Sequence, residues 1–338
     1  MLEFKNYYLP IRESWWEMGI LYQAVDPMIW IWWLFVLIVV MALNEFARTK
    51  LWCSVLLFVI VPVIVSIWIL PVSSPMGNKY GTGNWFNWAK MYSALAGVLG
   101  FMALRFYSWK DKQTGKTVHL YEKKWALAFP PAILAINIAE AVFRDFEVYF
   151  MAAWRGTITQ HLWVMSGPWN IMNGIAGILN IITLCGWAGI FISKDKEKDM
   201  IWPDMLWFWI IAYDLWNFAY TYNCMTDHSA WTGLLLLTAC TLATFFIKPG
   251  AWLQHRAQTL ALYCMWGLGA PWWSDEVALI PVTRSPRAFF IVSLVALLFN
   301  IGVFVYQLKT IKSKKLNPLK DELYTDTKEY KKIVSENK

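Results

Sequence analysis

Charge is scarce in this sequence. Only 16% of its 338 residues are Asp, Glu, Lys or Arg, against roughly 25% in an ordinary soluble domain. A soluble chain of this length needs more charge to cover its surface, which argues against a wholly soluble globular protein. Histidine is scarce too. His119, His161, His228 and His255 stand far apart, without the HxxxH or HExxH spacing of a metal site. The five cysteines (Cys53, Cys185, Cys224, Cys240 and Cys264) show no CxxC spacing and lie in or beside apolar stretches. That argues against zinc ligation and against a disulfide framework.

Enzyme signatures are missing as well. There is no GxSxG nucleophile elbow, no phosphate-cradling glycine loop and no dinucleotide fingerprint. Gly81-Thr82-Gly83 and the Gly174 to Gly177 stretch lack the strand–helix context such loops need. No catalytic residue, metal ligand or cofactor is assigned on this basis. No internal repeat is evident, so the inverted-repeat pattern of many transporters is not visible. Nor is a cleavable signal peptide. The first apolar block begins near residue 28, behind an amphipathic segment (residues 1–27) that holds Trp15 and Trp16, and it reads as an uncleaved anchor.

Long apolar runs are abundant. Apolar residues make up 58% of the chain and fall in blocks, and about 20 helical residues suffice to cross a bilayer core. Candidate spans cover residues 28–47, 52–72, 85–107, 124–144, 169–193, 201–222, 232–248, 252–271 and 287–309. The expected fold is an all-α, polytopic transmembrane helix bundle of about nine spans, with eight as the alternative. The seventh run is short, and Lys248-Pro249-Gly250 separates it from the eighth. Those two read either as full spans or as a re-entrant pair. The membrane domain then runs over residues 28–311 and includes an outer interfacial segment at 145–168 with Trp154, Arg155, His161 and Trp163. A charged tail, 312–338, ends in KEYKKIVSENK and reads as a cytoplasmic helix or a disordered end.

The net charge of +7 does not point to nucleic acid. From Lys309 onward, nine Lys face five acidic residues, so more than half of the excess lies in the tail. Counting Lys and Arg on alternate sides of nine spans puts seventeen on one side and seven on the other. The richer side carries Arg48, Lys50, the run from Arg105 to Lys124, Lys194 to Lys198, Lys248, Arg256 and Lys309 to Lys315. Positive charge gathers in the cytoplasm, so the N-terminus is expected outside and the C-terminus inside. The 24 tryptophans cluster near span ends, as at Trp30, Trp32 and Trp33, at Trp85 and Trp88, and at Trp272 and Trp273. Indole favours the headgroup region, so most are expected to form interfacial belts.

Function is best sought where polarity inside the membrane is costly. In the sixth run Asp214, Asn217 and Thr221 share one helical face, with Trp207 two turns back. Asp204, after Pro203, reads as a helix cap. In the fourth run Asn137, Glu140, Arg144 and Glu147 make one stripe, and Glu140 and Arg144 are spaced for an i,i+4 structural ion pair. In the fifth, Asn170, Asn173, Gly177 and Asn180 share a face that serves either as packing glue or as an amide-lined cavity. Lys90, on the third run, snorkels outward or partners Glu140 or Asp214. Glu45 and Arg48 read as an ion pair at the cytoplasmic end of the first run, and His255 and Arg256 lie at the cytoplasmic mouth of the eighth. Asp227-His228, in a short outer loop, reads as ordinary solvated polarity.

The stretches GTGNWFNWAKMYSALAGVLGFMALRF, PWNIMNGIAGILNI, SKDKEKDMIWPDMLWFWIIAYDLWNFAY and NPLKDELYTDTKEY resemble a bacterial multi-spanning membrane family known only as a domain of unknown function. The likeness spans nearly the whole chain. It implies a protein of the bacterial cytoplasmic membrane and supplies no activity or site residue.

The leading functional reading is a small-solute or cation transporter or channel with a polar site between spans three and six. Its candidate residues are Asp214, Asn217, Thr221, Trp207, Asn173, Asn180, Glu140, Asn137 and Lys90. A buried Asp214 would bind a cation or take up a proton, and Trp207 and Trp216 would add cation–π contacts to an organic amine. The alternatives are an intramembrane enzyme on a lipid or quinone-like substrate, with Asp214, Glu140 and His255 as acid–base groups, and a membrane sensor or assembly protein. The expected partners are the lipid bilayer and a small molecule or ion. A homo-oligomer is compatible with the sequence.

Overall fold

The computed structural model describes residues 19–67, 85–153, 156–159, 162–265 and 279–338, with the side chains of 85–88, 158, 159 and 162 excepted. Trp15, Trp16, Trp154, Arg155, His161, Trp272 and Trp273, and the side chains of Trp85 and Trp88, lie outside this description.

Each of the nine apolar runs contains a helix. The first, α1 (Pro27–Thr49), starts where Asp26 Oδ1 accepts the Met28 N–H at 2.9 Å and Pro27 supplies a preset φ. Then come α2 (Leu51–Ile67), with a π turn at Leu56–Ile60, and α3 (Trp85–Phe106). Next are α4 (Phe129–Met151), opened by Pro130-Pro131, and α5 (Pro168–Ile182). They are followed by α6 (Trp207–Cys224), α7 (Thr226–Phe246), α8 (Trp252–Tyr263) and α9 (Pro286–Lys314). A tenth helix, α10 (Lys328–Asn337), is capped by the Thr327 hydroxyl, which accepts the Tyr330 N–H.

Among the described residues, the fold departs from all-α in three two-stranded antiparallel hairpins. These are β1 (Ser108–Lys110) with β2 (Thr117–His119), β3 (Thr157–Thr159) with β4 (Leu162–Val164), and β5 (Phe191–Ile192) with β6 (Met200–Ile201). Among the described residues of 145–168 are the end of α4 and the β3–β4 hairpin.

Among the described residues, Pro27–Thr49, Ala126–Met151, Thr226–Phe246 and Pro286–Lys314 are long and apolar enough to cross a membrane. Their outer faces leave Ile31, Leu34, Phe35 and Ile38 on α1 and Ile291, Leu298 and Phe299 on α9 exposed. Apolar surface on this scale would be a liability in water and is stable against acyl chains. These helices mark a membrane protein.

The interior is organised differently from its rim. Eleven of the twelve residues of α8 are buried, and the helix packs against α1, α3 and α7. On the other side, α5 lies between α4 and α9, and glycine permits the approach. A Cβ at Gly177 would sit 2.4 Å from Val142 Cγ2 and 2.6 Å from Trp216 Nε1. Tryptophan proves to be core material as much as belt. Trp169, Trp202, Trp216, Trp231 and Trp252 are fully buried, whereas Trp52, Trp125 and Trp207 are exposed. Some indoles find a polar partner inside the bundle: Trp209 Nε1 donates to Thr183 Oγ1 at 3.0 Å and Trp202 Nε1 to Cys185 O at 3.0 Å.

Polar contacts gather at the two ends of the bundle. At one end Asp199 is fully buried. It accepts from Arg48 Nη1 at 2.6 Å and Gln254 Nε2 at 2.7 Å, with Arg105 Nη2 at 3.7 Å and Lys248 Nζ at 3.9 Å. Arg48 also makes the expected pair with Glu45, at 2.7 Å. Arg105 donates to the carbonyls of Arg48, Glu197 and Lys198, and Lys248 pairs with Asp195. At the opposite end the Gln23 N–H donates to Pro281 O at 2.9 Å, Tyr222 Oη donates to Leu21 O at 2.7 Å, and Arg284 meets Asp227 at 3.3 Å.

The C-terminal tail docks on the Arg48 end. Asp204 does not cap α6, which begins at Trp207 after a turn that follows β6. Its carboxylate accepts the backbone N–H groups of Leu323, at 2.6 Å, and Tyr324, at 2.9 Å. Leu323, Tyr324 and Ile333 pack there against Ile201, Leu206 and Ala251. Burial outweighs those hydrogen bonds and pushes the Asp204 carboxyl up to about 6. The folded protein thus holds this proton more tightly than the unfolded chain. The stability that the proton confers is full below about pH 4 and is lost as the pH rises through about 6. Melting curves between pH 4 and 8 should show this trend in the wild type, and subtraction of the Asp204→Asn profile should isolate it.

Candidate functional site

A cavity lies between α3, α4, α6, α7 and α8. α6 contributes Tyr213, Asn217, Tyr220 and Thr221, which recur at three- and four-residue steps and so face one way. Aromatic packing stiffens this wall. Tyr213 meets Trp252 at 4.8 Å and Trp216 at 5.3 Å between ring centroids. A π turn, Ala230–Leu235, opens the α-helical part of α7 and brings Thr232 and then Leu236 to the lining. The turn packs tightly on α6, since a Cβ at Gly233 would lie 2.1 Å from Thr221 Oγ1. Single π turns within helices commonly occur at functional sites.

Two cations line the cavity. Lys90, on α3, pairs with Glu140 at 2.9 Å and donates to Asn137 O at 2.9 Å, and Ser93 Oγ donates to the same Glu140 carboxylate at 3.2 Å. Arg256, on α8, is 5% exposed. Its hydrogen bonds are long: Nε donates to Tyr213 Oη at 3.3 Å and Nη2 to Asn217 Oδ1 at 3.4 Å. Among the described residues, its Nη1 has no hydrogen-bond partner and no carboxylate stands within ion-pair distance of it.

The expected pairing of Glu140 with Arg144 is not formed. Glu140 faces Lys90 across the α3–α4 contact, and Arg144 pairs with Glu147 at 2.6 Å, one turn along its own helix. A cation on the neighbouring helix competes successfully for the buried carboxylate. Glu140→Gln should therefore lower the melting temperature by stranding Lys90, and adding Lys90→Gln should recover much of the loss, whereas Arg144→Gln should not. A double-mutant cycle in thermal melts measures the coupling.

Lys90, Asn137, Asn217 and Thr221 thus meet at one cavity, with Glu140 behind Lys90. Asp214, Trp207, Asn173 and Asn180 do not line it. Successive helical residues turn by about 100°, so Asp214 stands well round from Tyr213 and accepts from Thr241 Oγ1 of α7 at 2.7 Å. Trp207 is 55% exposed. Asn180 donates to Ala176 O on its own helix. Asn173 belongs to a second buried cluster, in which its Nδ2 donates to Asp145 Oδ2 at 2.7 Å, while Asn170 Nδ2 and Cys224 Sγ each reach Asp145 Oδ1 at 3.3 Å.

The acid–base groups considered for an enzyme are separated. Asp214 bonds to Thr241, Glu140 to Lys90 and Ser93, and Asn44 Nδ2 donates to His255 Nδ1 at 2.9 Å. They form no shared constellation.

Sequence reasoning missed Arg256 and Asp145. Arg256 follows a Pro-Gly turn and was read as a charge at the membrane mouth. The available signal was the density of polar residues in Gln254, His255, Arg256, Gln258 and Thr259, since so polar a helix in an apolar chain must be sheltered by its neighbours. Asp145 falls one residue after Arg144, off the stripe formed by Asn137, Glu140 and Arg144.

Fold and site together define a helical membrane protein whose interior holds a polar, cation-lined cavity. The chain belongs to the Family of unknown function (DUF5692), which matches residues 23–336. No curated protein and no solved structure matches it.

Proposed function

We propose that the protein is a small-solute transporter or channel of the bacterial cytoplasmic membrane, with its site in the cavity that Arg256 and Lys90 line. The observation that carries this reading is the placement of two costly cations on one cavity between five helices. Ionisable side chains inside a membrane bundle mark solute pathways by default. Nine passes, with the N-terminus outside and the C-terminus inside, accompany this reading. The ends of α1 and α3, the turn between α7 and α8, and the tail share one face. That face carries the richer set of Lys and Arg and reads as cytoplasmic.

Solute flux into proteoliposomes tests it. A panel of radiolabelled organic anions, amines and sugars should include at least one solute that enters protein-bearing vesicles faster than empty ones. No protein-dependent flux across the panel would count against transport.

A further inference from the structure

We infer that the cavity is built for a small monocarboxylate with an apolar body, whose carboxylate docks on the Arg256 guanidinium. This deepens the transport reading above and rests on it. Arginine stays charged in proteins and presents five N–H donors in a planar fork that matches a carboxylate. Here that fork is buried, holds its two neutral partners at 3.3 and 3.4 Å, and leaves Nη1 unused among the described residues. A buried cation without a carboxylate is costly, and an incoming anion would remove the cost.

The neighbouring charges narrow the ligand. Lys90 is already balanced by Glu140 at 2.9 Å, so it adds no second anion-binding charge. Asp214 bonds to Thr241 and makes no ion pair with Arg256. Among the described residues Arg256 has no carboxylate in ion-pair contact, with Asp214 acting on it only at longer range, and a single such cation favours a monoanion over a dicarboxylate. Met225, Leu236 and Leu260 supply apolar wall, and Tyr220 and Tyr263 supply rings. A ligand with a hydrocarbon or aromatic body would exclude water from that wall, as small-molecule sites generally do.

The experiment is a melting-temperature titration of the purified full-length protein with acetate, propionate, lactate and benzoate at constant ionic strength. Chloride, sulfate, inorganic phosphate, choline and glycerol serve as comparisons. A ligand that prefers the folded state raises the melting temperature by mass action. At least one monocarboxylate should stabilise the wild type, and Arg256→Lys should weaken that effect at least about tenfold in concentration, because the bidentate fork is lost. Arg256→Lys keeps the charge and so guards against a variant that fails to fold. Stabilisation by choline or glycerol alone would overturn the anion assignment and leave the transport reading standing. A response to phosphate or sulfate with none to carboxylates would also overturn it. If no anion acts, and Asp214→Asn restores the stability lost in Arg256→Gln, Arg256 is an internal counter-ion and the inference fails.

Discussion

Asp199→Ala should destabilise the protein by about 3–5 kcal/mol, the usual cost of removing one partner from a buried charge network. The carboxylate is fully buried and receives Arg48 at 2.6 Å and Gln254 at 2.7 Å. Without it, Arg48 keeps Glu45 as its ion-pair partner among the described residues, and Arg105 loses the carboxylate 3.7 Å away. The network joins the ends of α1 and α3 to the start of α8 and to the loop between α5 and α6, so its loss should loosen that whole end. Hydrogen exchange in detergent should rise first around residues 193–200. A second substitution, Arg48→Gln, should recover part of the loss, because it removes a charge that the first change stranded.

Asp145→Ala should be the second large effect. Asn173 and Asn170 donate to this carboxylate, at 2.7 and 3.3 Å, and Cys224 Sγ lies 3.3 Å from it. Alanine would leave two amide donors buried without an acceptor, at about 1–3 kcal/mol each. Asp145→Asn keeps one acceptor oxygen and should cost less. Thermal melts of the two variants give the order directly. Equal loss in both would mean that the negative charge, and not the acceptor count, holds α4, α5 and α6 together.

Much of the helical frame was legible in the sequence, because bilayer-length apolar runs leave little else for the backbone to do. Pro27, Pro130, Pro168 and Pro286 mark four helix starts, and Glu45 and Arg48 pair as their spacing suggested. The stripe of Asn217 and Thr221 does reach the cavity. What the sequence could not show is which neighbour each stripe meets. Glu140 has a cation on its own helix at i+4 and another on α3, and only the packing of α3 on α4 selects Lys90. Asp214 stands out by its charge, yet the cavity is lined by Tyr213, Asn217 and Tyr220 of the same helix. The eighth run was read only for the charges at its cytoplasmic mouth, yet it brings Arg256 to the cavity. The tail offers only charge to a sequence reader, and its anchor, Asp204, lies more than a hundred residues away.

The most direct test of the central claim is solute flux in proteoliposomes bearing the wild type beside a Leu260→Trp variant, in which the cavity wall is filled by an indole. Both proteins are first checked for equal incorporation and melting behaviour. Protein-dependent uptake in the wild type that falls to the level of empty vesicles in Leu260→Trp would place the pathway through this cavity. Uptake that is unchanged by the filled wall would contradict it.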